Sequence, residues 1–131
     1  MVTKLKLPAI DPATVSPVTG SRYPEPFKSR VSARRKQRLG DALGLKNFGV
    51  NLATIPPGAV SALRHWHSHE DEFIYIVSGE LALVTDDGEQ RLTPGMCAGF
   101  PAGKPMAIAS STARSRMLSI SRWATAARRM P

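Results

Sequence analysis

The sequence predicts an all-β domain, a sandwich or barrel of short antiparallel strands preceded by an extended arm. Three observations carry this reading. From Asn47 onward, apolar runs of strand length are split by turn residues, and Asp-Gly and Pro-Gly pairs punctuate those runs. Residues 1–29 hold five prolines (Pro8, Pro12, Pro17, Pro24 and Pro26) and little periodicity. Short alternating segments with Gly and Pro between them favour antiparallel sheets, because a two- to five-residue turn can reverse a strand whereas a parallel pairing needs a long crossover. Closely spaced prolines fix φ and withhold backbone donors, so the first segment reads as extended.

At 131 residues the chain fills one domain with one core. Its 42% hydrophobic and 21% charged residues are those of a globular protein. No apolar run approaches the roughly 20 residues of a membrane-spanning helix. The first 15 residues contain no apolar block of the kind that forms a signal-peptide core, so a cytoplasmic location is expected. Cys97 is the one cysteine, which excludes an internal disulfide and a cysteine-rich zinc site. It is expected to act as a small apolar filler.

The element order follows. Residues 1–46 form the arm, rich in Pro, Arg and Lys, and 47–131 the single barrel. Five basic residues fall between Arg30 and Arg38. They read as a solvated strand or turn, with a phosphate-binding patch as the alternative. Residues 38–45 make a short helical turn or a loop broken by Gly40 and Gly44. Strand-type runs cover 48–55, 60–67, 72–84 and 91–100, with turns at 56–59, 68–71, 85–90 and 101–105. Asp87-Gly88 marks a hairpin, since Gly takes positive φ without steric cost.

The formal charge of +8 is unevenly placed. Residues 1–103 hold 12 basic and 10 acidic residues, whereas 104–131 hold six basic and none acidic. The tail, 104–131, therefore carries most of the basic character.

The chemistry concentrates in His65-Trp66-His67-Ser68-His69-Glu70-Asp71-Glu72. Side chains at i and i+2 of a strand share a face, so His65 and His67 present two imidazoles together while Trp66 faces away. A turn through Ser68–Asp71 and a returning strand would bring Glu72 beside them. Two imidazoles and one carboxylate suit Fe(II), Mn(II), Ni(II), Cu(II) or Zn(II), with open positions for water, dioxygen or a substrate oxygen. The competing reading is a pair of hydrogen-bonded core histidines. Glu70, Asp71 and His69 read as a solvated turn; Asp71 would become a ligand at the shorter spacing, and His69 would serve if another ligand were missing. If Glu72, Ile74 and Ile76 face the interior, then Phe73, Tyr75 and Val77 face outward, and a second sheet, the arm or a partner subunit should cover that stripe. A homodimer follows most simply.

Residues 58–79 resemble the first motif of the cupin superfamily, G(X)5HXH(X)3-4E(X)6G. His65 through Gly79 match it, and one extra residue separates Gly58 from His65. The resemblance covers roughly residues 47–103. It implies a cupin jelly-roll β-barrel, with His65, His67 and Glu72 as metal ligands in the lumen near one mouth. Residues 95–103 fit the first half of the second motif, G(X)5PXG(X)2H(X)3N, but the spacing then places Met106 where the last histidine ligand belongs and Ser110 where Asn belongs. No histidine follows His69. A thioether is a poor ligand for hard divalent metals, so the site is one ligand short.

Two explanations remain open: drift to a metal-free binding barrel, or a change of reading frame near Gly103. Read from the third base of codon 104, permitted codons give an acidic tail containing H-x-x-x-N followed by a β-type run. In its present frame the tail offers only 107–109 and 116–121 as strands, so low stability and weak metal affinity are expected. The functional expectation is a divalent metal (Fe, Mn, Ni or Zn) held by His65, His67 and Glu72 and acting on a small organic molecule, as in cupin dioxygenases or isomerases. The alternatives are a non-catalytic small-ligand sensor and a metal-impaired copy. No catalytic residue is identified. A nucleic-acid sensor using Arg30–Arg38 is disfavoured, because the cluster is short and no helix-turn-helix accompanies it.

Overall fold

The computed structural model describes residues 4–19, 35–62, 70–103 and 108–123. In chain order the strands are β1 (Val18–Thr19), β2 (Arg35–Arg38), β3 (Gly49–Ile55), β4 (Val60–Ala62), β5 (Glu70–Ser78), β6 (Leu81–Thr85), β7 (Gly88–Leu92), β8 (Cys97–Phe100), β9 (Ile108–Ser110) and β10 (Ser115–Trp123). A 3-10 turn covers Pro12–Thr14 and a short helix, α1, covers Leu39–Ala42. One sheet has the order β1-β2-β3-β10-β5-β8 and the other β4-β9-β6-β7. Every pairing between these strands is antiparallel. The all-β expectation is met.

The core lies between the sheets. Ile55, Ile74, Ile76, Leu81 and Ala109 are fully buried there, joined by Leu83, Leu92 and Met117. Strand β5 shows why. Its β-branched and aromatic residues suit a pleated, half-buried surface, and burial alternates along it: Ile74 and Ile76 at 0% exposure, Phe73, Tyr75 and Val77 at 39–43%.

The tail supplies β9 and β10 in its present frame. β10 is the interior strand between β3 and β5, and its inward residues Ser115, Met117 and Ser119 are all buried. The two stretches expected to offer strands, 107–109 and 116–121, fall on these elements.

Residues 4–19 of the arm run without regular structure or as strand apart from a turn in which the Ala9 N–H donates to the Lys6 carbonyl and the 3-10 turn, which Asp11 caps by accepting from the Ala13 N–H at 3.0 Å. It is fastened to the outer face of the six-stranded sheet. The Gln37 side-chain amide donates to the carbonyls of Pro12 (2.7 Å) and Val15 (3.1 Å), and β1 adds to the sheet edge beside β2. Leu52 points outward opposite Gln37 and Leu118, yet is only 5% exposed. The arm therefore covers the β2–β3 side of the outer face and leaves the β5–β8 side open. Residues 35–38 form the solvated strand reading, and 39–42 the helical turn.

Two local expectations change, and a third is met. The strand containing Glu72 begins at Glu70, because β10 extends far enough to pair Arg122 with Asp71 and Trp123 with Glu70. Glu70 and Asp71 are thus strand residues. The hairpin marked by Asp87-Gly88 forms between β6 and β7, with Asp86-Asp87 at its turn and Gly88 following at φ 119°. Neither aspartate has positive φ, so glycine relieves the turn on its exit side. Cys97 is exposed, not a core filler, because it stands on the outward face of β8 opposite Tyr75.

The end of the barrel away from Glu72 is closed by polar contacts. The Ser111 and Ser115 hydroxyls lie 2.7 Å apart, and Ser115 Oγ accepts from the Glu80 N–H at 3.0 Å. Gly79, the last glycine of the first motif, sits above them at φ +81°. A Cβ there would fall 2.6 Å from the Arg114 carbonyl oxygen and 2.6 Å from Ser115 Cα. Gly88 has open space around it. Gly79→Ala should therefore cost more than about 1 kcal/mol by strained φ plus backbone collision, and clearly more than Gly88→Ala, where only the φ strain operates. Urea unfolding of the two variants should show this order; equal midpoints would refute it.

Candidate metal and ligand site

Glu72 is the described member of the expected ligand set, and β5 places it on the inner face. The alternation that buries Ile74 and Ile76 puts the Glu72 carboxyl two residues further along the same face, toward the start of β5. It is partly buried and accepts from the Ser119 hydroxyl, Oγ to Oε2 3.0 Å. Ser119 is itself only 8% exposed. Ser121 on β10 and Phe100 on β8 stand directly across from Glu72, and Asn51 on β3 stands across from Ser119. One carboxylate is thereby set among two hydroxyls, an amide and an aromatic ring at the end of an otherwise apolar interior.

His65, His67, Trp66 and His69 lie outside the described residues, as does Met106. Residues 63–69 connect β4 in the four-stranded sheet to β5 in the six-stranded sheet. Among the described residues, no three His, Cys, Asp or Glu side chains converge as a metal group. Asp71 faces the other way from Glu72: it is exposed, and its Oδ1 accepts from the Ala102 N–H at 2.8 Å. That bond ties the start of β5 to the turn after β8 and uses Asp71 as a strand anchor. Tyr75 faces outward, as the alternation requires.

Sequence reasoning missed Ser119, the hydrogen-bond donor to Glu72. The signal was the alternation of Met117, Ser119 and Ser121, which becomes interpretable only once β10 is known to lie beside β5. Of a metal donor set the described residues supply one inward carboxylate, whose Oε2 is oriented by a buried hydroxyl.

No helix among the described residues is long and apolar enough to cross a membrane. No match to a curated protein was found. Among solved structures, the chain is similar to a sugar phosphate isomerase of the cupin superfamily from Silicibacter pomeroyi, with 41% identity, TM-score 0.80, and 88% of this chain and 75% of that one covered. An Acidithiobacillus ferrooxidans protein assigned the same activity is 33% identical, with TM-score 0.63, over 68% of this chain and 58% of that one. The polyketide cyclase RemF from Streptomyces resistomycificus shares the fold at 17% identity and TM-score 0.68, over 88% of this chain and 78% of that one. The family model described as "Cupin domain" matches residues 51–121, and the chain belongs to the cupin superfamily.

Proposed function

We propose that this chain is a cytoplasmic cupin that holds a divalent metal through His65, His67 and Glu72 and acts on a small, hydroxyl-rich organic molecule, with a sugar phosphate as the first substrate class to test. The observation that carries the reading is the inward Glu72 carboxylate held by Ser119 at the end of the barrel away from Gly79. The similarity to the Silicibacter pomeroyi isomerase supports the substrate class. A metal bound there would supply Lewis acidity toward a carbonyl or hydroxyl oxygen. The chain's own residues orient the carboxylate through Ser119 and offer Asn51 and Ser121 at the same end as partners for substrate hydroxyls. Phe100 limits water beside the carboxylate.

A second reading, a metal-free ligand-binding barrel, is favoured by Met106 in place of the last histidine of the second motif. A change of reading frame at codon 104 would account for that loss. The β9 and β10 strands form from the tail as it stands, so this proposal concerns the missing ligand and not closure of the fold.

Elemental analysis separates these readings. The chain should take up Fe, Mn, Ni or Zn at a single site, His65→Ala and His67→Ala should abolish the uptake, and the alternative-frame tail should strengthen it. Metal content unchanged in both variants would sink the ligand assignment, and metal-free protein that still binds a sugar phosphate would establish the second reading. Resequencing the gene around codon 104 tests the frame proposal directly: a nearby insertion or deletion is expected, and a clean in-frame read overturns it.

We also propose that the outer face of the six-stranded sheet forms a homodimer interface. Phe73, Tyr75 and Val77 remain 39–43% exposed and adjoin Leu118 and Ile120 on β10. An apolar patch of this kind is unusual on a monomer. Light scattering should give the mass of a dimer for the parent chain and of a monomer for Phe73→Ser/Tyr75→Ser. A monomeric parent would refute the interface.

A further inference from the structure

A basic seam runs along the outer face of the six-stranded sheet, on the side opposite Glu72. Arg35 on β2 pairs with Thr54 on β3, Thr54 with Arg116 on β10, and Arg116 with Ser78 on β5. These four residues form one row across four strands. Met117 next to Arg116 points into the core, so the row faces away from the lumen. Arg114, just before β10, adds a third guanidinium. Two adjoining hollows of about 330 and 370 Å³ open along this row and share Gln37, Thr54 and Arg114. The arm forms the facing wall of the first, through Ala13 to Pro17.

None of the residues lining either hollow is acidic. Arg35 and Arg116 flank Thr54 on neighbouring strands, about 10 Å apart from backbone to backbone. The Thr54 hydroxyl adds a neutral donor between Arg35 and Arg116, and the Ser78 hydroxyl another beyond Arg116. Arginine's planar fork matches the paired oxygens of a phosphate better than any other cation in a protein. The hollows are also large enough for a small metabolite.

We propose that this seam is a binding site, separate from the barrel lumen, for a small phosphate-bearing anion, either a phosphomonoester or a diphosphate. Its occupant is gripped by Arg35, Arg114 and Arg116 and lies against the arm segment that Gln37 fastens. Binding therefore clips the arm onto the sheet.

The test uses the full chain, with calorimetry and amide NMR at matched ionic strength. The probes are glycerol 3-phosphate as the monoester and inorganic pyrophosphate as the diphosphate, with sulfate and a single-stranded oligonucleotide as comparisons. At least one phosphate probe should bind saturably, and which one does identifies the ligand class. Amide shifts should concentrate at Val15, Gln37 and Thr54. Arg116→Gln should weaken binding about tenfold, and Arg114→Gln/Arg116→Gln further, while Lys6→Gln should leave it unchanged. Absence of saturable binding, equal affinity in the double variant, or shifts concentrated at Glu72 and Ser119 would each overturn the proposal. So would binding of the oligonucleotide alone, which would make the seam a nucleic-acid surface. If the double variant does not fold, the shift map of the parent chain decides between these outcomes.

Discussion

The register of β5 between β10 and β8 is the constraint on which the barrel depends. Along this strand one face carries Glu72, Ile74 and Ile76 and the other Phe73, Tyr75 and Val77. Because side chains alternate with a period of two, a slip of one residue would send the isoleucines into solvent and the aromatic stripe into the core. Burying the isoleucine pair, each worth roughly 2–3 kcal/mol of transfer free energy, strongly opposes such a slip. The same register places Glu72 at the end of the inner face away from Gly79, with Ser119 beside it. Packing at Ile74 and Ile76 thus aims a carboxylate two residues away, linking the apolar core to the chemistry of the mouth.

The other end of the barrel shows how sequence spacing becomes geometry. Six residues separate Glu72 from Gly79. That interval takes the chain from the Glu72 end to the opposite, closed end, where only a glycine fits above Ser115 and the Arg114 carbonyl. The spacing in the first motif therefore measures the height of the barrel wall. It also explains why the buried serines at 111 and 115 need no water: they satisfy each other and the Glu80 backbone.

Much of this was legible in the sequence, for identifiable reasons. Period-two alternation with fully buried isoleucines leaves one choice of face for β5, and the arm's prolines leave it little alternative to extension. What was not legible depended on pairing between distant segments. The start of β5 at Glu70 is set by how far β10 reaches, and β10 lies 45 or more residues away in the chain. A lone cysteine reads as a small apolar filler, but the outward side of β8 is decided by its pairing with Tyr75. Ser119 carried no local signal at all, since a serine within an apolar run acquires meaning only from the carboxylate opposite it.

The basic tail follows from the same reasoning. In the linear sequence its arginines depart from the final strands that the family resemblance implies. As an interior strand, β10 must give both faces work, and its inward positions take Ser115, Met117, Ser119 and Ser121, none of them charged. Arg116 and Arg122 therefore fall on the outer face, separated by Leu118 and Ile120. A charge imbalance in the linear sequence becomes a spatial one, with Arg116 joining Arg114 and Arg35 at one end of that face. Between this basic end and β8 lie the apolar residues left open by the arm. The outer face is consequently divided into two regions of different chemistry, one able to hold an anion and one able to bury itself against another surface. The lumen is kept from both by the sheet between them.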